Sequence, residues 1–85
     1  MEQIPPQALR SLEKHVSPLI IGALLRYRDE RIQTGAFLQA VLENDLRKAT
    51  RIADKNNRDN LDRIVEFVAA HFPDDIYGSA HKYSQ

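Results

Sequence analysis

Two groups of residues in this 85-residue chain have side chains and spacings that could do chemistry. Side-chain oxygens crowd Asn44-Asp45 and the stretch Asp54, Asn56, Asn57, Asp59 and Asn60, and carboxylates continue at Asp62 and Glu66. That density could hold a calcium ion. The stretch lacks the loop glycine and the alternating oxygen ligands closed by a glutamate that calcium loops use. Asn and Asp are also the residues that turns and helix starts select. No metal site is expected.

The second group is cationic: Arg47, Lys48, Arg51 and Lys55. Arg47 and Arg51 are four apart, as are Arg51 and Lys55, so on one helix they form a stripe that could follow a phosphate backbone. Residues 35–72 hold six basic and six acidic residues, however, and the whole chain balances 12 Lys plus Arg against 12 Asp plus Glu. Counterion release drives most non-specific nucleic-acid affinity, and a chain without a positive surplus gains little from it. No aromatic side chain is interleaved to stack on bases. A solvated face with local ion pairs is the plain expectation, and nucleic-acid binding through these four residues is the alternative.

Catalytic groupings are missing. His15, His71 and His81 are scattered without metal-ligand spacing, and no serine sits in a nucleophile elbow. Cysteine is absent, which removes thiolate nucleophiles, thiolate metal sites and disulfides. No glycine-rich phosphate loop is present. Neither an enzyme nor a cofactor is expected. The N-terminus lacks a signal-peptide pattern, and the longest apolar run, LIIGALL at 19–25, is far too short to span a bilayer. The expectation is a cytoplasmic protein without membrane contact.

The elements that must position these groups are helices. Pro5-Pro6 suits a first helical turn, and Leu9, Leu12 and Val16 give residues 6–16 a narrow apolar stripe. Ser17-Pro18 reads as an N-cap and first position, so a second helix is expected over about 18–33 rather than one kinked at Pro18. Its apolar residues point all round the axis, which fits a central helix or one shared with a partner. Gly22 in its middle implies a close backbone contact. Gly35 should close that helix, or Thr34 cap the next.

The third helix is expected over 35–54, with Phe37, Leu38, Val41, Leu42, Leu46, Ala49, Ile52 and Ala53 on one face. The fourth, over 58–72, is capped by Asn57, presents Leu61, Ile64, Val65, Val68 and Phe72, and stops at Pro73. Residues 73–85 read as an irregular tail anchored by Ile76 and Tyr77. Within the third helix Asn44 and Asp45 are poor formers, because their side chains compete for backbone hydrogen bonds. Sharing a flank with Leu42, Leu46 and Ala49, Asp45 is expected to be partly buried, as a cap, an arginine partner or a polar contact in an interface.

Gly35, Phe37-Leu38, Ala40-Val41-Leu42, Asn44-Asp45-Leu46, Ala53-Asp54, Asn57, Pro73 and Gly78-Ser79 form a pattern over about half of the chain. It resembles a family of small helical proteins met in bacteriophage and prophage-bearing genomes. The resemblance implies a setting and brings no assigned activity with it.

The sequence therefore predicts one all-α domain over residues 1–85, a compact bundle of about four helices with 35–54 and 58–72 as an antiparallel hairpin. Exclusion of chemistry, the resemblance and the apolar excess of LIIGALL together point to an accessory protein that binds a bacterial host or defence protein, with inhibition as one expected outcome. Ile20, Leu24, Asn44 and Asp45 are the candidate interface. A tightly packed monomer and a homodimer that completes so small a core are both open, and a homo-oligomeric structural module is the remaining alternative.

Overall fold

The computed structural model describes residues 3–84, and all regular structure among them is helical. In chain order the helices are α1 (Pro6–Glu13), α2 (Pro18–Glu30), α3 (Ala36–Leu42), α4 (Leu46–Ile52), α5 (Lys55–Asp59), α6 (Leu61–His71) and α7 (Ala80–Ser84). None is long and apolar enough to cross a membrane.

The start of the chain follows its proline signals. Pro6 opens α1, Ser17 Oγ accepts the Ile20 N–H at 3.4 Å, and Pro18 opens α2 as a separate helix. α1 packs on α2 and α6 and buries Leu12, and Val16 in the following turn is buried too. α2 is one-sided despite its all-round apolarity. It buries Ile21, Leu24, Tyr27 and Arg28, leaves Ile20 half-buried, and exposes Leu19 by 83%. Leu24 has no exposed surface at all. It belongs to the core of the chain itself, which corrects its place among the interface candidates.

Gly22 does not receive the backbone contact its position implied. A Cβ built there would meet only the Arg26 guanidinium, with Nη1 at 3.2 Å, the far end of a flexible side chain. Gly22→Ala is therefore expected to raise stability by about 0.5–1 kcal/mol, read as a higher thermal midpoint. A lower midpoint would mean that the small side chain serves a packing contact after all.

α2 ends at Arg31, not at Gly35. Arg31 takes a left-handed φ of 56°, and its N–H reaches the carbonyls of Arg26 and Tyr27. Gly35 instead begins α3 at an ordinary φ of −70°, and the Thr34 hydroxyl bonds the Gly35 carbonyl rather than capping.

The expected 35–54 helix is two helices, broken at Asn44-Asp45. Asn44 has φ 63°, its N–H bonds the Val41 carbonyl at 3.1 Å, and the Asp45 N–H bonds the Ala40 carbonyl at 2.8 Å. This is the Schellman closure, with asparagine in the position usually held by glycine. Asp45 then caps α4 by accepting the Lys48 N–H at 3.2 Å. Its carboxylate is exposed, not half-buried, because it serves the next helix start.

The expected 58–72 helix likewise begins earlier and in two pieces. Asp54 caps α5 through the Asn57 N–H at 2.8 Å, whereas Asn57 is buried inside α5 and caps nothing. α6 follows at once, buries Ile64, Phe67 and Val68, and gives way to an extended Phe72 before Pro73.

The segment after Pro73 is more ordered than an irregular tail. Ile76 is buried, Gly78 at φ 108° donates its N–H to the Leu42 carbonyl at 2.7 Å, and Ser79 Oγ accepts the Lys82 N–H at 3.1 Å to start α7. Tyr83 on α7 is buried. The Gly78 bond satisfies a carbonyl that the end of α3 leaves open. The Cα radius of gyration, 11.8 Å, matches the roughly 12 Å of a compact domain this size, so these short elements share one core.

Candidate functional site

Polar and charged side chains gather at three places in the structure, and packing separates them. The first is the acidic and amide-rich turn. Asp45 and Asp54 accept backbone N–H groups as caps, and Asn60 donates to the Asn56 carbonyl at 2.9 Å. Among the described residues no three His, Asp or Glu side chains are grouped as metal ligands would be. These polar residues direct the backbone.

The second is the end of α2. Tyr27 Oη donates to the Ile76 carbonyl at 2.6 Å, and the Tyr27 and Tyr83 rings stack at 5.0 Å. Arg31 Nη2 donates to the carbonyls of Lys82 and Tyr83, each at 3.1 Å, and its guanidinium lies 4.8 Å from the Tyr27 ring centre. Burial pushes the Tyr27 phenol above its ordinary pKa, opposed by the nearby Arg31 cation, so it stays a neutral donor through the physiological range. A positive group at the last carbonyls of α7 is also favoured by the helix dipole. These contacts fasten the C-terminal segment to α2. Nearby, buried Arg28 gives Nε to the His71 carbonyl and Nη1 to Asp29, each at 2.8 Å, which ties α2 to the end of α6.

The third is α4, which turns most of its surface to solvent. Of its seven residues only Ala49 is buried. Successive residues turn by about 100°, so Arg47 and Arg51 stand opposite Ala49, with Lys48 beside them. All three are exposed, and among the described residues none makes a side-chain hydrogen bond or ion pair. Leu46 and Ile52 flank the buried stripe and remain 38% and 42% exposed.

Beside α4 runs a groove of about 200 Å³ whose walls include Val41, Leu46, Val65, Ala69 and Tyr77, with Asn44 at its edge. That is below the roughly 300–1,000 Å³ of small-molecule sites. It suits one or two side chains of another polypeptide better than a metabolite.

The predicted site residues are thus dispersed. Arg47, Lys48 and Arg51 share α4, but Lys55 lies on α5, where its Nζ pairs with Asp59 at 2.6 Å, and the helix break divides the expected stripe. Of the four interface candidates, Asn44 alone lines the groove, Asp45 caps α4, Ile20 is half-buried on α2 and Leu24 is core. Sequence reasoning missed Leu46, Ile52, Val65 and Ala69 as surface residues. The signal was available in Asn44-Asp45: ending a helix there leaves LRKATRI as a separate short helix with alanine as its inner residue.

No family model matches the chain, and searches of curated proteins and of solved structures also give no match.

Proposed function

We propose that this chain is a small phage- or prophage-type accessory protein that acts in the cytoplasm by binding a bacterial protein, as an inhibitor or adaptor rather than an enzyme. The observation that carries this reading is α4, a helix that turns three cations without partners and two large aliphatic residues toward solvent beside an apolar groove. Arginine next to exposed apolar surface is the composition of protein-binding patches. The phage setting rests on the Gly35 to Ser79 pattern. In this reading the seven helices of the described residues act as a four-unit bundle, with α3–α4 and α5–α6 as arms of a hairpin that holds α4 outward.

A nucleic-acid regulator is the second reading, favoured by the same three free cations. Against it, Asp45, Asp54 and Asp59 border the patch, and the adjoining groove is mainly aliphatic. A homo-oligomer is the third, and exposed Leu19 beside Gly22 is its motivation.

The test is capture of the tagged protein from bacterial lysate with and without nuclease, alongside Arg47→Glu/Arg51→Glu. A stoichiometric protein that survives nuclease and is lost with the variant is the expected result. Recovery that disappears with nuclease would replace this reading with the nucleic-acid one. Recovery of the chain alone would leave the homo-oligomer.

A further inference from the structure

Leu19 is the most exposed large apolar side chain of the described residues, and α2 sets a charge beside it. Arg26 lies two turns further along the same stripe of α2. Its guanidinium folds back over Gly22, with Nη1 3.2 Å from where a Gly22 Cβ would stand. Gly22 is one turn from Leu19, so the cation lies about 5 Å along the helix from the leucine. Arg26 is exposed, and among the described residues it has no hydrogen-bond or ion-pair partner.

The groove repeats this spacing with the opposite sign. Val65 and Ala69 on α6 and Leu46 on α4 offer it only carbon. Asp62 stands one turn before Val65 and two before Ala69 on the same flank of α6, exposed and, among the described residues, without a side-chain partner. At the Tyr77–Gly78 end both signs occur. Tyr77 Oη donates to Asp74 at 3.4 Å, and Lys82 Nζ is 3.9 Å from a Cβ built on Gly78. The negative edge of the groove is therefore that of α6.

We infer that Leu19 of one copy of this chain seats in the groove of a second copy, against Leu46 and Val65, with Arg26 paired to Asp62. Leucine precedes the cation along α2, whereas valine follows the carboxylate along α6, so the two helices run antiparallel. Gly22 lets Arg26 lie flat beneath that contact. Leu19 and the groove are different surfaces, so copies join head to tail. A formal net charge of zero does not oppose their approach. One leucine and one ion pair bury far less than the roughly 1,200–2,000 Å² of stable interfaces, so the association is weak and concentration-dependent. It leaves Arg47, Lys48 and Arg51 uncovered and does not rest on the protein-binding reading above.

The experiment is sedimentation velocity over a concentration series of the full chain, Leu19→Asp and Ala69→Arg. The parent is expected to sediment faster as its concentration rises. Each variant should associate about tenfold or more weakly, because a buried leucine carries at least that much. Mixed, the two variants should form a complex of two chains and stop there. The Ala69→Arg chain supplies Leu19, and the Leu19→Asp chain supplies the groove. Gly22→Ala should also weaken association, by displacing Arg26.

Both substitutions stand at exposed positions, and circular dichroism checks their fold. If either disturbs it, Arg26→Glu and Asp62→Arg test the same contact: each alone should weaken association, and the two in one chain should restore it. A parent that stays monomeric throughout would overturn the inference. So would a mixture of folded variants that remains monomeric, or a charge exchange that restores nothing. Loss with Leu19→Asp but not with Ala69→Arg would replace it with a symmetric pairing of α2 on α2.

Discussion

Leu24→Ala is expected to lower the stability of the chain by about 2–5 kcal/mol, and Leu24→Asp to leave it unfolded. Leu24 is wholly enclosed and sits with Tyr27, Leu42 and Ile64 among the largest fully buried side chains. Truncation to alanine removes the transfer free energy of the missing carbons and leaves a cavity whose walls are held by their own helices. A domain this small has a total stability of only about 4–13 kcal/mol, so the loss is a large fraction of what exists. A cost of 3 kcal/mol would lower the thermal midpoint by about 12–24 °C.

Leu19→Asp, on the same helix at 83% exposure, should stay within about 0.5 kcal/mol of the parent. Circular dichroism melts of the three variants decide the matter. A Leu24→Asp chain that remains helical and loses only an association would return Leu24 to the interface that the sequence suggested.

Leu24 also shows where the sequence stopped being legible. LIIGALL is apolar on every side, and periodicity cannot choose the inner face of such a helix. The choice is made by α1 packing on it and by contacts distant in sequence, such as those of Tyr27 with Ile76 and Tyr83. The all-helical class, the separation of α1 from α2 and the stop at Pro73 were legible because proline and Ser17 act locally.

Asn44-Asp45 was noticed and misjudged. Its effect on a helix depends on whether Asn44 adopts the left-handed region, and the hydrogen bond from Gly78 to Leu42 helps close that end of α3. A long-range bond of that kind has no signature in the residues around Asn44. Once the helix is ended there, Leu46 and Ile52 move from an inferred core face to the edges of an exposed helix, and the candidate surface becomes visible. Arg31 is the opposite case: nothing in its type suggests a left-handed helix end, which is ordinarily a glycine or asparagine position.

Tyr83→Ala is expected to cost about 3 kcal/mol and to release α7 together with the last turn of α2. The ring of Tyr83 stacks on Tyr27, and its hydroxyl accepts the Thr34 N–H at 2.8 Å, so truncation removes both contacts. α7 has only five residues and cannot hold itself as an isolated helix. When it leaves, Arg31 loses the Lys82 and Tyr83 carbonyls as acceptors, and its left-handed backbone, costing about 1–2 kcal/mol, keeps its guanidinium contacts with Tyr27 and its own N–H bonds to the end of α2. The loss should therefore spread to α2 rather than stop at the tail. Hydrogen exchange would show it as lost protection at Tyr83 and, in the same variant, at Arg31. Tyr83→Phe keeps the ring stack and leaves the Thr34 N–H without its acceptor, so its cost should be nearer 1 kcal/mol. A Tyr83→Ala chain that loses protection in α7 but keeps it at Arg31 would show that α2 closes by its own backbone bonds, and that the C-terminal helix rests on it without supporting it.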